Sequence, residues 1–200
     1  MRWLSFVMLT ACLISGTQSA TAQDGHTEVR QFFAELQDEN TTDQAADKLR
    51  MAALKDTDAR QFLVEHLPAV IEKLRGPVWM NAIHLAGSLR IAETVPVLAE
   101  LLKRQDTQIG TITFAEVLRL DDDPAGKALA EIGAPAITEV RHLLAARDRS
   151  TRFRAALVLS NMNSTSADEV LSDHVQNEND SDIRNYIQSQ LEEHKKTKVY

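Results

Sequence analysis

Leu67-Pro68-Ala69-Val70-Ile71-Glu72-Lys73-Leu74 returns twice further along the chain, as Val95-Pro96-Val97-Leu98-Ala99-Glu100-Leu101-Leu102 and as Ala134-Pro135-Ala136-Ile137-Thr138-Glu139-Val140. Each copy carries a glutamate four residues after its proline and a basic or titratable side chain seven after it: Arg75, Lys103 and His142. The prolines stand 28 and 39 residues apart. Recurrence at that interval is the mark of a stacked repeat, in which each unit buries its apolar face against the next. A proline has no N–H to give and is tolerated in a helix's first turn, so each copy is expected to open a helix.

The ends read differently from the middle. Arg2 supplies a positive start, Trp3 to Gly16 is mostly apolar, and Ala20-Thr21-Ala22 offers the small residues a signal peptidase reads. Residues 1–22 are therefore expected to be a secretory signal peptide, with cleavage before Gln23 and export to the periplasm or beyond. The apolar stretch is too short and too interrupted for a spanning helix, and no later stretch reaches spanning length. Leu9-Thr10-Ala11-Cys12 resembles a bacterial lipobox, in which Cys12 would carry a lipid anchor. Few apolar residues precede that cysteine, so ordinary cleavage is the expectation, leaving a domain over 23–200 without cysteine or disulfide. The formal charge is −7, and Arg2 is the only charge in the leader. An acidic exported chain is not expected to bind nucleic acid or an anionic membrane through a basic face.

Leu and Ala dominate the apolar set and aromatics make up 5% of the chain, a balance that favours helix over strand. Apolar residues at helical spacing predict helices over Thr27–Asp38, Asp43–Leu54 and Asp56–His66, then one opened by Pro68. Further helices are expected over Pro77–Leu89, from Pro96 to Arg104, Pro124–Ile132, from Pro135 to Ala146, Thr151–Met162, Ala167–Val175 and about 180–196. The polar last helix suits a terminal cap, and Phe32 and Phe33 would cover the other end. Residues 105–120 break the rhythm: Ile109 to Phe114 alternates like a strand, and the whole reads as an irregular insertion.

Two stretches resemble a known family. Ala82-Ile83-His84-Leu85-Ala86-Gly87-Ser88-Leu89 leads through Ala92-Glu93-Thr94-Val95-Pro96 into Leu98 and Leu101-Leu102, and Ala128-Leu129-Ala130-Glu131-Ile132-Gly133-Ala134-Pro135 leads into Ile137, Val140 and Leu143-Leu144. Both are similar to HEAT-like repeats of the phycobiliprotein-lyase type, most closely over 79–162. The resemblance implies an all-α fold, a right-handed α-solenoid of antiparallel helix pairs whose second helices line a concave, partner-binding side. It is nearly silent on activity.

Chemistry in the sequence is sparse. Glu72, Glu100 and Glu139 with Arg75, Lys103 and His142 form the strongest candidate, a ladder of pairs three residues apart that stacking would align on one face for a protein partner. The competing reading is ordinary intrahelical ion pairs on solvated faces. His66, His84, His142 and His174 recur about once per repeat, but the recurring His-Glu dipeptides by which deoxyhypusine hydroxylase, a HEAT-like enzyme, holds iron do not occur: the order is Glu65-His66 and Glu193-His194. No metal or cofactor is expected. Asp121-Asp122-Asp123 before Pro124 reads as a helix cap and not as a calcium loop, which needs alternating oxygen ligands and a turn glycine. With no nucleophile elbow and no cysteine after the leader, a non-enzymatic scaffold is expected. A cofactor-handling chaperone of the lyase kind and a structural subunit of an envelope complex stand as alternatives.

Overall fold

The computed structural model describes residues 18–73, 75–104 and 119–197, with side chains from Thr27 onward. Most of the expected leader, Cys12 and nearly all of the expected insertion lie outside these residues. Ten α-helices and no strand occur among the described residues: α1 (Gln18–Leu36), α2 (Thr42–Lys55), α3 (Thr57–Lys73), α4 (Gly76–Ser88), α5 (Val95–Lys103), α6 (Pro124–Ile132), α7 (Ile137–Leu143), α8 (Arg149–Asn161), α9 (Thr165–Val175) and α10 (Ser181–Thr197). The fold is all-α. Among the described residues, no helix is long and apolar enough to cross a membrane.

Helix packing alternates along the chain. α2 packs on α4, α4 on α6, α6 on α8 and α8 on α10, while α3 packs on α5, α5 on α7 and α7 on α9. The even and odd series meet where α2 and α4 touch α3, α6 touches α5, and α8 touches both α7 and α9. Leu49, Leu63, Ile83, Leu98, Leu129 and Leu159 lie fully buried between the two series. Each removes a side chain from water worth about 1.5–3 kcal/mol. α10 packs on α8 and α9, and Phe33 of α1 is buried edge-to-face against Phe62 of α3 at 5.3 Å between ring centroids.

Two expectations about helix starts need correction. α1 begins at Gln18, upstream of the expected Thr27. Pro68 opens nothing: it sits inside α3, which runs unbroken from Thr57 to Lys73. An interior proline removes one hydrogen bond and crowds the carbonyl four residues back, a cost of about 3 kcal/mol. Leu63, Leu67, Val70 and Ile71 are all buried on either side of it, and burying that continuous apolar face outweighs the loss. Pro96 and Pro135 do stand at starts, Pro96 in the first turn of α5 and Pro135 in a 3₁₀ turn, Ala134–Ala136, that leads into α7. Gly133 ends α6 at φ +77°, a conformation glycine adopts without a Cβ clash, and its N–H bonds the Leu129 carbonyl at 3.1 Å.

A buried charge pair ties three helices together. Asp123 caps α6, its Oδ1 accepting from the Gly126 N–H at 3.0 Å. Its Oδ2 accepts from Arg154 Nε of α8 at 2.6 Å. Arg154 Nη1 donates in turn to the carbonyls at the end of α5, Leu102 at 2.8 Å and Leu101 at 3.4 Å. Arg154 is 4% and Asp123 1% exposed, so neither charge has water as a substitute partner. Sequence reasoning placed the cap at the acidic run and overlooked Arg154.

Close approach of helices sets the second constraint. A Cβ on Gly87 would stand 2.9 Å from Ala128 Cα and 2.5 Å from Glu131 Oε2, so α4 and α6 meet where α4 lacks a side chain. The glutamate tip can swing away; the backbone of α6 cannot.

Two predictions follow from these contacts. Arg154→Ala leaves Asp123 buried without its cation and is expected to cost about 3–5 kcal/mol in urea unfolding; a loss below about 1 kcal/mol would remove the pair from the fold's essential contacts. Gly87→Ala should destabilise by about 1–3 kcal/mol through overpacking, although glycine-to-alanine inside a helix ordinarily stabilises by up to about 1 kcal/mol. A higher melting temperature for Gly87→Ala would contradict the close packing.

Candidate functional site

The six ladder residues lie on or beside the odd-numbered helices, but they do not make three like pairs. Glu72 is exposed near the end of α3, and Arg75 lies beyond that helix in extended backbone at φ −143° and ψ 173°. Arg75 Nη1 donates to the Glu72 main-chain carbonyl at 3.3 Å. The chain turns between the two because Gly76, at φ +72°, and Pro77 already open α4. Glu100 and Lys103 form the expected ion pair on α5, with side chains 56% and 49% exposed. Glu139 and His142 are both exposed on α7, and no hydrogen bond or ion pair joins them. Exposed glutamates therefore stand on α3, α5 and α7, while the partner of each is different.

A polar cleft of about 380 Å³ opens in the other series, between α2 and α4. Asp43, Asp47 and Arg50 line it from α2, and Asn81, His84 and Ser88 from α4, with Ala46 and Leu85 between them. Asn81 Nδ2 donates to Asp43 Oδ1 at 2.6 Å and to Thr42 Oγ1 at 3.2 Å, which pins the two helices in register. Arg50 Nη2 reaches Asp47 Oδ1 at 3.1 Å. The sequence carried a usable signal here, since Asp43, Asp47 and Arg50 are spaced four and three apart on one helix face. What it lacked was the pairing of α2 with α4, which skips a helix.

The densest group of ionisable side chains fastens the last three helices. Arg149 bonds Asp180 and Asp182, and Arg152 bonds Glu178 at 3.0 and 3.2 Å. His174 Nε2 lies 3.0 Å from the same Glu178, and Arg184 Nη1 donates to its carbonyl at 2.8 Å. His194 Nδ1 and Asp168 Oδ1, 2.7 Å apart, join α10 to α9. The hydrogen bond from Arg149 pulls the Asp180 carboxyl down to about 2, against the opposing effect of burial, and the Ile183 and Asp182 N–H groups assist. Burial pushes Glu178 up, but bonds from Arg152, the Asp180 N–H and His174 outweigh it and leave the carboxyl below its ordinary range. These groups bond one another across the turn between α9 and α10, and their chemistry is that of a fastener. His66 stacks on Phe62 with ring centroids 4.1 Å apart, and His84 and His142 stand apart from it on α4 and α7. No group of three or more His, Cys, Asp or Glu side chains among the described residues is arranged to hold a metal ion.

No family model matches the chain, and no curated protein does. Solved structures do match. One is a crystal structure of an engineered protein, 22% identical, with the match covering 90% of this chain and 85% of that one at a TM-score of 0.47.

The Arg149–Asp180 pair predicts a specific acid sensitivity. Asp180 titrates near 2 when folded and near its ordinary 3.8 when unfolded. Its contribution is therefore complete at neutral pH and is lost as pH falls from about 4 through about 2. Asp180→Asn is expected to cost about 1–2 kcal/mol at pH 7 and progressively less toward pH 2. Urea unfolding across that range checks it, and a pH-independent difference between the two proteins would contradict the assignment.

Proposed function

We propose that this chain is an exported, non-enzymatic scaffold, a right-handed α-solenoid of HEAT-like helix pairs that binds a protein partner along its odd-numbered helices. Support for the architecture comes from the alternation of contacts, in which α3, α5, α7 and α9 succeed one another on one side and the even helices on the other. Each helix pair is too small to bury its apolar face alone, so successive pairs stabilise one another. The leader-like residues 1–22 support export.

The observation that carries the binding reading is the half-exposed Glu100–Lys103 pair on α5, flanked by exposed Glu72 on α3 and by exposed Glu139 and His142 on α7. A partner lying across these helices would meet one acidic side chain per helix at the spacing of packed helices, about 8–10 Å. Lys103 and His142 would add donors beside two of them. Such a rigid series of charges confers orientation and register on a bound segment more than raw affinity.

Double reversal, Glu100→Lys with Lys103→Glu, tests the reading because it keeps an intrahelical pair while inverting the pattern offered to a partner. Melting temperature should move little, since an exposed pair is worth only tenths of a kcal/mol. Partners recovered by the tagged protein from the envelope fraction of its source and identified by mass spectrometry should fall by about tenfold or more. Unchanged recovery with unchanged melting would remove this face from binding.

A further inference from the structure

The two large apolar side chains left exposed among the described residues, Met51 at 46% and Leu54 at 64%, stand on the same helix as the polar cleft. Asp43, Asp47, Arg50 and Leu54 are spaced four, three and four apart, so they form one stripe along α2, with Met51 at its edge. Leu54 thus continues the line of the cleft one turn beyond Arg50, while the other large apolar side chains of α2 to α10 are at least partly buried.

Charge is distributed unevenly along this stripe. At its start Asp43 is met by the neutral amide of Asn81, so its negative charge is left uncompensated, and exposed Glu39 lies against Gly76 at the same end. Asp47 shares Arg50 midway. At its far end the exposed Lys55 follows Leu54 and closes α2. Exposed Asp56 and Asp58 follow Lys55 directly, so the surface takes its direction from the acidic start at Asp43 and the apolar end at Leu54.

We propose that the α2–α4 cleft and the Met51–Leu54 strip form a docking surface for an extended protein segment with a lysine or arginine at one end and a large apolar side chain at the other. From Asp43 to Leu54 the helix rises about 16 Å, which an extended segment spans with about five residues. The cationic side chain lies between Asp43 and Asp47, the apolar one covers Leu54 and Met51, and Asn81 and Ser88 offer side-chain polar groups along the way. This surface belongs to the even-numbered helices and does not depend on the odd-helix reading.

The test uses short fluorescent peptides carrying two lysines and a leucine-phenylalanine pair five residues apart, in both chain directions, titrated with the full chain and followed by anisotropy. Saturable binding of one peptide is expected, weakening as salt is raised. Asp47→Asn and Leu54→Ser, each at an exposed position, should each weaken it about fivefold or more with little change in melting temperature. The Glu100→Lys, Lys103→Glu protein should bind as the parent does. No saturable binding of either peptide, or binding that survives both substitutions, overturns the proposal. So does sedimentation revealing a dimer that Leu54→Ser abolishes, since the strip would then belong to a second copy of the chain.

Discussion

The pairing of Arg154 with Asp123 holds the middle of the molecule together. One guanidinium on α8 meets the carboxylate that starts α6 and the two carbonyls that finish α5, so three helices share one charged group. Helix ends are the places where backbone groups lack internal partners, and a buried end must find them elsewhere. Arg154 finds them for α5 while neutralising the cap of α6. The arrangement is demanding: the ions have left water, and their mutual attraction offsets that cost only with good geometry. It succeeds because the cap bond to Gly126 and the carbonyl bonds occupy the remaining polar positions, although Arg154 Nη2 is buried without a hydrogen-bond partner among the described residues.

Around that point the helices pack through small residues. Gly87 lets α4 rest on the backbone of α6, and a Cβ on Gly126 would stand 3.2 Å from Val158 Cγ2 of α8. Close approach brings large leucines from both series into a continuous interior, which a single helix pair could not bury alone. Toward the C-terminus the character changes. α8 to α10 bury leucine and isoleucine as well, but the turn between α9 and α10 is fixed by Arg149, Arg152 and His174 acting on Glu178 and Asp180.

Two exposed surfaces result, on opposite series of helices. The odd helices carry exposed glutamates with dissimilar neighbours; the even ones carry a polar cleft and, on α2, an exposed apolar strip. Both are shaped by which helices become adjacent.

Most of the helices were legible in the chain itself, because amphipathic spacing, capping residues and Gly133 are local signals read over a few residues. Asp123 as a cap, Gly133 as a stop, and the spans of α2, α4, α5 and α6 all follow from such signals. The start of α7 was legible too, though it opens through a 3₁₀ turn and the α-helix itself is shorter than expected. Pro68 was misread because its local penalty is plain in the sequence while the buried face that offsets it, Leu63 to Ile71, depends on neighbouring helices. Half of the ladder was readable: the exposure of all three glutamates follows from helical periodicity, but Arg75 falls on the far side of a turn whose position Gly76 and Pro77 decide. The α2–α4 cleft and the Arg154 clamp were not readable, since both join residues tens of positions apart. The sequence alone determined where most of the helices form and which face of each is apolar, because those depend on near neighbours along the chain. Tertiary structure alone decided which helix lies against which, because burial and charge pairing are settled only when distant segments meet.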